Sequence, residues 1–199
     1  MRLKLPFIFL ISLILLTSAA YGQSEKNEME DSISGSEMPE KALETLEEFW
    51  PDMSDIRFFA QTDGDVEIFE AKLEWRGKSY SIEFTSDGAI IDVEQLIEMD
   101  EITTSDREAI ESYLESEFKR VRVTRLQRQY IADDDDGVDD ENFIDDILEE
   151  DEEDYKVRYE IEVEGNTGDE IGAFELLFDQ SGQIIQRRRI VRRSLDNIW

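Results

Sequence analysis

Neither cysteine nor histidine occurs anywhere in the 199 residues. Without cysteine there is no disulfide, no thiol nucleophile and no thiolate metal site. Without histidine the usual general base, the serine-histidine-acid triad and nearly every zinc or redox-metal site are gone as well. Catalysis would have to rest on carboxylates, Lys, Tyr or Ser, so the chain is read as a non-enzyme that carries no cofactor. Basic residues are scarce too: 21 Lys and Arg stand against 51 Asp and Glu, a formal charge of −30. Nucleic acids and anionic membranes would repel such a chain over roughly a Debye length of 10 Å, and both are set aside as partners.

Long apolar runs are confined to the N terminus. MRLKLPFIFLISLILLTSAAYG places Arg2 and Lys4 ahead of an apolar run from Leu5 to Leu16, then small residues ending in Ala20-Tyr21-Gly22. The run is too short to cross roughly 30 Å of hydrocarbon, and the flanks are those of a cleavable secretory signal. Residues 1–22 are therefore expected to be a signal peptide and the mature chain to begin at Gln23, in the periplasm or outside the cell. No later segment resembles a membrane span.

Residues 23–37 are polar and aperiodic, which predicts a flexible leader. Pro39 suits the first turn of a helix, with Ala42, Leu43, Leu46, Phe49 and Trp50 at helical spacing until Pro51. The period then becomes two. Phe69, Ala71, Leu73 and Trp75 alternate with Glu70, Lys72, Glu74 and Arg76, and beyond a Gly77-Lys78 turn Tyr80, Ile82 and Phe84 alternate with Ser81 and Glu83. These are half-buried antiparallel strands. A second helix is predicted from a Ser105/Glu108 capping box and the stripe Ala109, Ile110, Tyr113, Leu114, Phe118. Strands resume at 119–131, at Val157 to Val163 and at Phe174 to Phe178.

The string from Glu83 to Glu94 places oxygen side chains at Glu83, Thr85, Asp87 and Glu94 with Gly88 between them, the spacing of a calcium loop. However, Phe84-x-x-x-Gly88-x-Ile90-Ile91 returns as Phe178-x-x-x-Gly182-x-Ile184-Ile185, where the last ligand position becomes Arg188. What both copies share is a tight turn at Asp87-Gly88 and Ser181-Gly182, so a hairpin is expected rather than a metal loop.

A helix such as MPEKALETLEEFW followed by strands ending in this hairpin resembles the PepSY-like family, small exported bacterial domains with the β-lactamase-inhibitor-protein-like fold. The resemblance covers residues 38–102 and 103–199 as two tandem units. It implies an α+β architecture of two layers, each unit one helix packed on an antiparallel sheet, the two sheets side by side. It also implies binding or inhibition of an exported protein in a bacterial cell envelope. The contact positions carried over are the outward ones: Glu70, Lys72, Glu74, Arg158, Glu160 and Glu162.

Between the strands of the second unit lies ADDDDGVDDENFIDDILEEDEED, residues 132–154, with fifteen acidic side chains and no basic one. It is expected to be a solvated mobile insertion. Two alternatives stay open. Its carboxylates could collect divalent cations weakly, making the protein calcium-responsive. Or Phe143, Ile144, Ile147 and Leu148 could give it a short helix that folds the acidic segment across basic strands carrying Arg120, Arg122, Arg125 and Arg187 to Arg189.

Overall fold

The structure, a computed structural model, describes residues 24–26, 28–47, 49, 54–63, 66–132, 140–150 and 155–191. The expected signal peptide at 1–22 and parts of the acidic insertion, 133–139 and 151–154, lie outside the described residues. The first half runs β1 (Ser24–Lys26), β2 (Glu28–Ile33), α1 (Glu40–Glu47), β3 (Ser54–Asp63), β4 (Val66–Trp75), β5 (Lys78–Phe84) and β6 (Ile90–Leu96). The second runs α2 (Thr104–Glu117), β7 (Arg120–Ile131), α3 (Asp140–Leu148), β8 (Lys156–Asn166), β9 (Ile171–Asp179) and β10 (Ile184–Ile190). The strands form one sheet in the order β1-β10-β9-β8-β7-β6-β5-β4-β3-β2. Every pairing is antiparallel except β1 with β10. No described helix is long and apolar enough to cross a membrane.

The two-residue period sorts side chains onto two faces. Ala71, Leu73 and Trp75 of β4 pair in register with Ile82, Tyr80 and Lys78 of β5, and all but Lys78 are buried. They meet Ala42 and Leu46 of α1 in a first apolar cluster. Ile110 and Leu114 of α2 meet Ile161, Val163, Phe174, Leu176 and Phe178 in a second. Burying each such side chain is worth roughly 1.5–3 kcal/mol, so the helix-bearing face supplies the apolar core. The strand pair β6–β7, from Asp92↔Ile131 to Leu96↔Gln127, joins the two halves into one continuous layer.

The expected hairpin turns are present, and they are alike. Thr85 N–H donates to Ala89 O and Gly88 N–H to Thr85 O; Asp179 N–H donates to Gln183 O and Gly182 N–H to Asp179 O. Gly88 and Gly182 have φ of 83° and 74°. Each turn also seats a helix: a Cβ at Gly88 would lie 2.8 Å from Ala42 N, and one at Gly182 2.5 Å from Asp106 O. Glycine is needed at both for conformation and for space.

Four expectations differ from the structure. The leader is not without regular structure: β1 and β2 lie within 23–37, held by backbone pairing that polar composition does not reveal. The α2 cap is Thr103, whose Oγ1 accepts from Asp106 N–H at 3.4 Å, rather than Ser105. Buried Ile102 just ahead of it fixes where the chain enters the helix. In the described part of the insertion, α3 is not a mobile loop: Phe143, Ile144, Ile147 and Leu148 are buried in the first cluster, and the Phe143 ring stands edge-on to Tyr155 at 5.0 Å. Nor does α3 cross the basic strands. It sits on the helix-bearing face, where Arg76 grips Glu149 through two bonds of 2.9 and 2.7 Å and Lys78 pairs with Glu150 at 2.7 Å. A segment of the second proposed unit thus completes the core of the first.

Candidate functional site

The face away from the helices is not an open surface. Lys26 pairs at the β10 edge, yet Glu28, two residues on, pairs at the β3 edge. An extended chain rises about 3.3 Å per residue, so the two ends of the ten-stranded sheet are brought within a few ångströms of a common seam. The sheet is curled shut, and β1 and β2 flank the closing seam. Inside is a cavity of about 240 Å³ lined by side chains from all ten strands.

This interior is polar and charged. Lys26 Nζ contacts Glu175 and lies 3.8 Å from Glu160 Oε1. Arg188 holds the other oxygen of Glu175 at 2.6 Å. Across the cavity Lys72 pairs with Glu30 at 2.8 Å and with Glu70 at 3.1 Å, over the Phe59 ring at 4.5 Å. Glu70 also accepts from Gln61 Nε2 and Ser81 Oγ. On β6, Asp92 Oδ2 accepts from Gln129 Nε2 at 2.8 Å, and Glu94 accepts from Gln127 and, at 3.4 Å, from Gln129. Among the described residues Glu30, Glu70, Glu83, Asp92, Glu94, Glu160 and Glu175 face Lys26, Lys72, Arg125, Arg158 and Arg188, so carboxylates are in excess.

The excess shows in their proton affinities. Burial, then Glu83, pushes Glu94 up to about 8 against the pull of Arg125. Burial, then Glu83, Glu94 and Glu160, raises Asp92 well above the usual carboxylate range. Glu160 is raised by burial, then by Glu94 and Glu175, against Lys26 and Arg188.

All six partner-contact positions carried over from the resemblance lie on this face, as the alternation predicts. Their expected outward placement is corrected by the curl of the sheet. Glu70 is only 2% exposed, and Lys72, Arg158 and Glu160 line the cavity. Glu162 is half-buried opposite Arg125. Glu74 alone is exposed, at an open groove of about 530 Å³ that shares Lys72, Arg125 and Gln127 with the interior and so forms its mouth. Sequence reasoning singled out Glu94 only as the last position of a calcium loop and set that loop aside in favour of a hairpin, and it missed Lys26, Asp92, Gln127 and Gln129. The available signal was Asp92-x-Glu94 and Gln127-x-Gln129 at alternate positions of strands whose other face is apolar, but that pattern also describes a solvated face.

No family model matches the chain, and no curated protein does either; the PepSY-like resemblance is thus not shown as membership. Solved structures do match. A Bacteroides eggerthii protein inferred to be periplasmic is 14% identical, with a TM-score of 0.51 over 76% of this chain and 88% of that one. A DUF2874 family protein from Bacteroides ovatus is 12% identical, with a TM-score of 0.51 over 76% and 87%. A BLIP-like protein from Bacteroides fragilis is 13% identical, with a TM-score of 0.48 over 81% and 92%. At these identities the first two show a shared fold: an α+β chain with helices on a large, mostly antiparallel sheet.

Proposed function

We propose that this chain is an exported, non-catalytic binding protein of a bacterial cell envelope, built from two related halves, that holds a small charged solute inside its closed sheet. The observation that carries this reading is a polar cavity to which all ten strands contribute, with carboxylates outnumbering cations among the described residues. At about 240 Å³ it is smaller than the roughly 300–1,000 Å³ of ordinary ligand pockets, a size for an ion or a compact solute with its water. Asp92 and Glu94 are 3% and 6% exposed, too enclosed to reach a sugar or peptide bond, which is why binding is favoured over carboxylate catalysis. The leader-like N terminus supports export. The test is native mass spectrometry of the 23–199 chain before and after unfolding and refolding, with a thermal-shift panel of small ions and metabolites. A bound mass lost on unfolding, or a specific shift, is expected; neither appearing would sink the reading.

A protein partner remains a second reading, moved to a different surface. At one end of β7, β8 and β9, Val121 and the 76% exposed Ile171 line an open apolar groove of about 590 Å³ with Gly172 and Ala173. Ile171→Glu would abolish co-purification with an exported partner if that groove is the contact, and would leave it unchanged if it is not.

A further inference from the structure

We propose that Glu83, Asp92 and Glu94, together with the side-chain amide of Gln129, form a site for one hard divalent cation on the inner face of the sheet. The proposal rests on the reading of the interior as a binding cavity and names what it binds. The pairings Glu83↔Asp92 and Ser81↔Glu94 put the three carboxylates on one face of adjacent strands, with an oxygen of each within 4.8 Å of the others. Among the described residues no lysine or arginine comes within ion-pair distance of Asp92 or Glu94: Lys26 is taken by Glu175, Lys72 by Glu70 and Glu30, and Arg188 by Glu175, while Arg125 pulls on Glu94 from beyond that distance.

A separate observation comes from Gln129, 9% exposed, on the neighbouring strand. Its Nε2 donates to both Asp92 and Glu94, while its Oε1 is buried and has no hydrogen-bond partner. Oδ1 of Asp92 is likewise buried without a donor. Buried acceptors without donors are costly, and a cation bound among the carboxylates would satisfy Asp92 Oδ1 directly. A half-turn of the amide exchanges Nε2 for Oε1 and converts a donor to the carboxylates into a further oxygen ligand beside them.

The ligand set is all oxygen, which selects magnesium, calcium or manganese over zinc or copper. Room in the adjoining cavity for water, and carboxylates, which can bind a metal through one oxygen or two, favour calcium, which takes 6–8 ligands flexibly, over the strict octahedron of magnesium. This is not the loop suggested by the Glu83 to Glu94 spacing. Thr85 and Asp87 hydrogen-bond to each other within the turn, and only the two ends of that string, with Asp92, meet on the sheet. The second half cannot repeat the site, because Arg188 stands where Glu94 would be and is bonded to Glu175.

The experiment is calorimetric titration of the chelator-stripped 23–199 chain with calcium chloride, and in parallel with magnesium chloride, at near-physiological sodium chloride. One saturable calcium per chain is expected, bound at least about tenfold more tightly than magnesium, and weakened at least about tenfold in Asp92→Asn/Glu94→Gln, whose fold is checked by circular dichroism. If that variant does not fold, Glu83→Gln, at a half-buried position, serves in its place with the same expectation. A saturable site that survives these changes, or no saturable site in the natural chain, overturns the proposal. Solutes that bind while calcium does not would leave the interior as a binding cavity and remove this site alone.

Discussion

The stability of the metal-free protein should fall as pH rises from about 6 to about 8, opposite to the usual behaviour of paired carboxylates. Glu94 has an ordinary value of 4.5 and is raised to about 8 in the folded chain. The folded state therefore keeps a proton that the unfolded state has released, and stability is full below about 4.5 and lost as pH climbs towards 8. One proton of difference is worth about 1.4 kcal/mol per pH unit. Over two units, reduced by half-titration at the upper end, Glu94 alone accounts for about 2 kcal/mol, and Asp92 and Glu160 add with the same sign. The absence of histidine keeps this window clean: exposed carboxylates have finished titrating by about pH 6 and lysine begins above about 9, leaving only the amino terminus near 7.7. The assay is urea unfolding in chelator and moderate salt at three pH values, on the natural chain and on Glu94→Gln. The variant should show a shallower slope and be more stable by up to about 4 kcal/mol near pH 8. Stability that is flat or rising in the natural chain, or an unchanged slope in the variant, would refute the assignment of these carboxylates to a closed interior.

Three further perturbations probe how the sheet is closed and seated. Gly182→Ala combines a φ of 74° with a Cβ 2.5 Å from Asp106 O and should cost about 3 kcal/mol by chemical denaturation, whereas Gly77→Ala, with φ 80° and open space around it, should cost only the roughly 1–2 kcal/mol of the backbone conformation. Lys26→Met leaves Glu175 with Arg188 alone and Glu160 without its closest cation; a loss of about 3–5 kcal/mol is expected, with faster hydrogen exchange at β3 and β10, and equal protection in both proteins would show that the seam does not depend on this lysine. Phe143→Ala should destabilise the whole domain by about 3–5 kcal/mol, measured as a shift of the single urea transition, because α3 is core; a change under about 0.5 kcal/mol would return the acidic insertion to the status of a solvated loop.

Periodicity made the faces legible and left the curvature hidden. The alternation of Phe69, Ala71, Leu73 and Trp75 with Glu70, Lys72 and Glu74 assigns each side chain to the correct side of the sheet, and the paired Phe-x-x-x-Gly strings locate both hairpins. Nothing in a period of two says whether the polar side meets water or meets itself. That depends on β1 and β2, which are set by backbone pairing to two edges far apart in sequence, and on Lys26, which reaches Glu175. The acidic insertion misled for a related reason: fifteen carboxylates dominate its composition, while the four apolar residues that decide its fate are outnumbered. Once the curl is known, the two layers have separate tasks. Both apolar clusters lie between the helices and the outer face, so the fold gains most of its apolar burial there and little from the inner face, where Phe59, Ile68 and Leu177 are half-buried. Carboxylates enclosed on that inner face lower stability near neutral pH, and an apolar or amide side chain of equal size would be tolerated better. A cost carried at Asp92 and Glu94, with no return in packing, is the pattern expected of residues that serve binding.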